Sequence, residues 1–159
     1  MYLLGYDKNK TFTSLNEATI HNLRQYLNRY RMLTDGINLI NGFVINIGVD
    51  FDIIVYKNYS KKEVLSNCII AVSNFFDSDL MGFCQPINVS SLELEIAKIE
   101  GVQSIQNVTI KNLTIRDGDY SEYEYDIESA TQNKIIFPSL DPTVFEIKFP
   151  GRDIKGKCL

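Results

Sequence analysis

Residues 43–56 read FVINIGVDFDIIVY. Every second residue from Phe43 is apolar: Phe43, Ile45, Ile47, Val49, Phe51, Ile53 and Val55. The alternate positions, Val44, Asn46, Gly48, Asp50, Asp52, Ile54 and Tyr56, are mixed and partly charged. This period of two is that of a strand buried on one face. At ~3.3 Å per residue the strand reaches roughly 45 Å, against about 17–20 Å for an ordinary strand. Burying even five of its apolar side chains is worth roughly 8–15 kcal/mol before entropy is counted. Gly48, mid-run, is a place where a bend or bulge can divide it.

Working outward, the preceding segment holds Leu15, Ala18, Leu23, Tyr26, Leu27 and Tyr30 at helical spacing, with Ser14 and Glu17 as a capping box. This predicts a helix over about 15–31, stopped before the TDG turn at 34–36, with an extended piece at 37–40. Downstream, Ser60 and Glu63 repeat the capping pattern. Val64, Leu65, Cys68, Ile69, Val72, Phe75 and Phe76 make an apolar stripe of about four turns. A turn-rich connection, a short strand at 87–89, and a helix capped at Ser90 and Glu93 come next. That helix carries Leu92, Ile96 and Ile99 and is closed by Gly101. In the following strand Val108 and Ile110 share one face, whereas Leu113 and Ile115 take the other, which predicts a bulge or a strand break near Asn112.

The expected fold is α+β, a two-layer β-α-β-α-β core with an N-terminal helix and an extended C-terminal arm ending in a strand. Three segments are expected within one structural domain: an N-terminal helical segment, 1–36; an α/β core, 37–117; and an aromatic-rich arm, 118–159. The arm opens on an acidic, tyrosine-rich, aperiodic stretch, and its VFEIKFP run alternates as a strand ended by Pro150. Its large apolar groups need cover, either from the chain's own core or from a partner. Tyr120, Tyr123, Tyr125, Phe137, Leu140, Phe145 and Phe149 are the interface candidates, since large stiff aromatics are enriched at contacts.

The 159 residues are 45% hydrophobic and 23% charged, as in an ordinary globular domain. A net charge of −4 argues against nucleic acid. No apolar run approaches the length of a membrane span, and the first ten residues lack a signal-peptide cleavage pattern. Cys68, Cys84 and Cys158 fit neither a disulfide framework nor a zinc site, and a reducing compartment is the simplest reading.

Candidate chemistry is sparse. Asp50 and Asp52 share a strand face, where paired carboxylates can hold a hard cation, but a solvated face is the plainer reading. His21, the single histidine, lies on the polar side of the first helix. DSD at 77–79 and DGD at 117–119 lack the ligand spacing of a calcium loop, and no phosphate-binding glycine motif is present. Lys61 and Lys62 in a first helical turn read as exposed contacts. No cofactor, metal, membrane or small-molecule substrate is expected, and the pattern favours an assembly part over an enzyme.

Four stretches carry a resemblance: VINIGVDFDIIV, NYSKKEVLSNCI, QPINVSSLELEIAKIEGVQSIQNVTI and FPSLDPTVFEIKFPGRDIKGK, in that order. Together they resemble the C-terminal part of the baseplate wedge subunit of contractile-tailed, T4-like phages, a relative of the baseplate J-like proteins. PSLDP followed by FEIKFP and DIKGK is the specific part, while the GVQSI step is shared more widely. The resemblance implies a structural late protein of the virion, put together in the host cytoplasm. Such a subunit self-associates as a homodimer, helps build a ring around the central hub, contacts other wedge proteins, and shifts when the baseplate changes shape at infection. It carries no catalytic residue. Those subunits are several times longer, so the chain resembles a C-terminal fragment or a compact variant. The alternative is a small-ligand-binding or regulatory α/β module; a third reading is a hydrolase or metal enzyme using Asp50, Asp52 or His21.

Overall fold

The computed structural model describes residues 1–30 and 36–159. Helices and strands are mixed along the chain, an α+β fold. The N-terminal part contains β1 (Tyr2–Leu3), β2 (Gly5–Tyr6), β3 (Phe12–Thr13), α1 (Glu17–Asn28) and β4 (Ile40–Asn41). The central part contains β5 (Phe43–Val55), α2 (Lys61–Phe75), β6 (Ile87–Asn88), α3 (Val89–Ala97) and β7 (Val102–Asn112). After a 3-10 turn at Ile115–Asp117 come α4 (Ile127–Ala130), β8 (Thr131–Gln132), β9 (Ile135–Ile136), β10 (Thr143–Glu146), α5 (Pro150–Asp153) and β11 (Ile154–Cys158). The expected helix end at Arg31 lies outside the described residues, as does the turn at 34–36 except for its Gly36.

β5 is long because it serves three strands. Along one edge it pairs antiparallel with β7, from Ile47↔Asn112 to Val55↔Val102. Along the other it pairs parallel with two strands in tandem: β10 over Phe43–Asn46, then β11 over Val49–Ile53. The change of partner falls at Ile47 and Gly48. The strand itself runs on without a break, so Gly48 marks a handover and not a bend. A Cβ there would meet the Asp153 carbonyl oxygen and Leu113 Cδ1, both at 3.2 Å. The predicted β-α-β-α-β unit is therefore corrected in its middle strand. β6 does not enter the main sheet but pairs with β9, which pairs with β8, in a small separate sheet. The core is likewise not confined to 37–117, because the arm supplies an edge of the sheet. The N-terminal segment, read as helical, also contributes strands: β2 and β3 form a hairpin and β1 pairs with β4.

The inward face of β5, Ile45 to Val55, is buried under α2 and α3. α2 contributes Val64, Cys68 and Val72, with Phe76 at its C-cap, and α3 contributes Val89, Leu92 and Ile96. Their apolar stripes match the sequence periodicity; their caps do not. Asn16, not Ser14, caps α1 by accepting from the Thr19 amide at 2.8 Å. Asn88, not Ser90, caps α3 through Ser91 N at 3.2 Å. Ser60 precedes α2 but its side chain makes no capping bond. The phase change after Ile110 is a strand end: β7 stops at Asn112 and Leu113 crosses to the opposite face, over Gly48. The register shifts lie earlier, opposite Asp52/Ile53 and Ile54/Val55.

Gly101 joins α3 to β7 at φ +97°, and a Cβ there would sit 2.6 Å from Val64 Cγ2 and 3.0 Å from the Tyr59 ring. Gly101→Ala combines backbone strain of about 1–2 kcal/mol with overpacking of about 1–3 kcal/mol. The expected result is a clear drop in the urea midpoint with an unchanged slope.

Candidate functional site

The outward face of the sheet divides in two. Over its C-terminal half it is open and polar. Asp50 and Asp52 stand on β5 between Lys111 of β7 and, in register on β11, Lys155 and Lys157. Lys111 Nζ pairs with Asp50 Oδ2. Such a ladder of alternating sign is what a solvated three-strand face needs. Among the described residues no group of three or more His, Cys, Asp or Glu side chains converges as a metal site would require.

Over its N-terminal half the outward face is covered, and there lies the most developed polar site. Asn46 of β5 and Glu146 of β10 stand side by side in register and are both buried. Asn46 Nδ2 donates to Glu146 Oε2 at 2.9 Å, and the Phe12 amide of β3 donates to Glu146 Oε1. The Ser121 amide of the arm donates to Asn46 Oδ1 at 2.8 Å. The Asn46 carbonyl accepts from Leu113 N and from Asn112 Nδ2. One asparagine and one glutamate thus fasten the N-terminal hairpin, the central strand, the end of β7 and the arm to one another. Burial pushes the Glu146 carboxyl above its ordinary 4.5, while the Phe12 amide, Asn46 and Lys148 pull it back only in part. A carboxyl whose folded value is raised contributes most stability below about pH 4.5, and that share is lost as pH rises through the folded value. The unfolding free energy of wild type is expected to carry this downward slope between those limits, and that of Glu146→Gln to lack it.

A second buried carboxylate anchors the C-terminus. Asp153 Oδ2 accepts from the Phe149 amide at 2.8 Å, and Asp153 Oδ1 accepts from the Tyr120 hydroxyl. Arg152 Nε donates to the same hydroxyl at 3.1 Å, with its guanidinium 5.0 Å from the Tyr120 ring centre and 4.7 Å from that of Phe149. Burial is the first cause holding the Tyr120 phenol above its ordinary 10.0, followed by its bond to Asp153.

The seven interface candidates separate accordingly. Phe145 is 2% exposed and Tyr120 7%. Tyr125 is half-buried, with its ring edge-on to Phe145 at 5.6 Å and its hydroxyl bonded to the Phe137 carbonyl. Phe149 is half-buried under Arg152. These four pack within the chain, because β5 has a second edge that the arm fills; Phe145 and Tyr120 are thereby removed as partner contacts. Tyr123, against Phe43 at 5.0 Å, remains exposed, as do Phe137 and Leu140.

The other singled-out residues have local roles. His21 is exposed and meets Gln25 at 2.9 Å. Cys68 is buried in the core and its thiol is pushed up to about 11, first by burial. Asp77 Oδ1 accepts from Asp79 N, and Asp117 Oδ2 from Thr114 N, so both acidic triplets are turns. Lys61 Nζ donates to the Leu159 carbonyl at 3.2 Å.

A cavity of about 300 Å³ opens above Asn46 and Glu146, lined also by Tyr120, Ser121 and Lys148. The amides of the chain itself already occupy the polar atoms on its floor, so the site is built to fasten segments. Sequence reading set Asn46 on the mixed face of the long strand and singled out neither it nor Glu146. The available signal was a single polar residue within each of two apolar runs, VFEI and FVINIGV. No known family model matches this sequence, and no curated protein is similar enough to it to count as a match.

Proposed function

We propose that the chain is a structural part of a contractile phage tail baseplate wedge, self-associating to help form the ring around the central hub and to pass on the change of shape at infection. The four stretches of resemblance support this reading, and α1 is the observation that carries it. The helix presents Ile20, Leu23 and Leu27 along one side, each only half-buried, none of its residues is fully buried, and the rings of Tyr26 and Tyr30 meet at a tilt in the open. An amphipathic helix whose apolar side is only partly covered by the described residues is surface held for a neighbour. On this reading the chain acts in the virion, needs neither catalytic residue nor cofactor, and meets copies of itself and other wedge proteins.

Light scattering at micromolar concentration is expected to give at least twice the 18.2 kDa chain mass. One chain mass at every concentration contradicts self-association. The alternative, a small-ligand module, is tested at the cavity above Glu146, where buried polar side chains converge. A thermal shift with a metabolite that vanishes in Glu146→Ala would favour that alternative.

A further inference from the structure

Deepening the proposed function, and resting on its self-association, we propose that two copies join through β7, pairing antiparallel about a two-fold axis at Thr109 so that their sheets become one. β7 is 11 residues long and pairs on one side only, with β5. Among the described residues no strand lies along its other edge, which leaves a row of backbone donors and acceptors open to a further strand. Proteins that keep such an edge single guard it with proline, lysine or bulges. Here the register shifts guard only the first part. From Asn107 to Asn112 pairing with β5 is continuous, with no proline and with Lys111 as its one charge.

That regular part is complementary to itself. A two-fold axis at Thr109 sets Thr109 opposite its own copy, Val108 opposite Ile110, and Asn107 opposite Lys111. A threonine pair and two apolar pairs are favourable cross-strand neighbours, and the two lysines stay apart. Val108 and Ile110 point to the helix side of the sheet, in register with Phe51 and Val49. Beside them a cleft of about 610 Å³ runs along the edge, lined by Val89, Glu93, Ile127 and Ile136 as well as these two residues. The copy's Val108 and Ile110 enter it. This is strand addition, with main-chain bonds giving attachment and a cleft taking alternate side chains.

Two variants of the full chain test it. Asn107→Lys sets lysine against Lys111 of the copy twice per dimer, while within the chain the new lysine faces Asp52 and the fold is kept. The dimer Kd by sedimentation is expected to rise at least about tenfold with the melting temperature held. Thr109→Cys is expected to form a covalent dimer under mild oxidation that wild type, with its own three cysteines, does not form. A wild-type dimer with an unchanged Kd in Asn107→Lys and no cross-link through residue 109 overturns the β7 contact and leaves self-association standing. A wild type of one chain mass throughout, with no cross-link, overturns both.

Discussion

A chain ending at Pro142 is expected not to fold. The missing 17 residues are two of the three strands that β5 holds. With them go Val144, Phe145, Ile147 and Ile154, all buried, which at about 1.5–3 kcal/mol each amounts to roughly 6–12 kcal/mol. That is of the order of the whole stability of a domain, about 5–15 kcal/mol. The loss also bares the edge of β5 from Phe43 to Ile53 and removes both buried carboxylates, Glu146 and Asp153, so amides of Phe12 and Phe149 lose partners or disappear with the segment. Far-UV circular dichroism is expected to show no cooperative unfolding transition. A truncated chain that melts as sharply as the full one would mean that the C-terminal strands are an accessory.

Glu146→Ala carries the second large effect. Hydrogen-bond direction runs one way through the seam: Ser121 N donates to Asn46, Asn46 donates to Glu146, and Phe12 N donates to Glu146 from the other side. A carboxyl group, with an oxygen free to accept on each side whether or not it is ionised, closes that chain. Alanine leaves two buried donors without acceptors, at about 1–3 kcal/mol each, for a total of about 2–6 kcal/mol. Glutamine does not restore the seam. Its one carbonyl oxygen can accept from either Asn46 or the Phe12 N–H, its NH2 then opposes the other donor, and turning Asn46 over would set the asparagine NH2 against the Ser121 N–H. Both variants are therefore expected to unfold at lower urea concentration than wild type, alanine the earlier of the two. They should also exchange the amides of residues 12 and 121 faster. A glutamine variant as stable as wild type would show that the seam is not closed by a carboxylate.

The parts of the fold legible in the sequence were those set by periodicity. The alternation in residues 43–55 gave β5, and the stripes Val64–Cys68–Val72 and Leu92–Ile96 gave the helix layer, because both patterns follow from burial on one face. Helix caps were misplaced since Ser, Asn and Glu crowd each start and several local bonds compete for the same amides. β11 went unread because IKGKC has one fully buried side chain, Ile154, and a glycine beside Phe51. The destination of β6, and of the arm, is a matter of long-range pairing that no local pattern encodes. Glu146 was not singled out because alternation tells which face a residue takes, and not whether a distant hairpin and loop will cover that face.

Hydrogen exchange of the full chain, diluted until light scattering gives one chain mass, asks most directly whether the arm closes the sheet of its own chain. Peptides covering β10 and β11 are expected to be protected as strongly as those covering β5, while the outer amides of β7 exchange quickly. Fast exchange of β10 and β11 under dilution, with β5 still protected, would contradict it, because those strands would then depend on a partner chain.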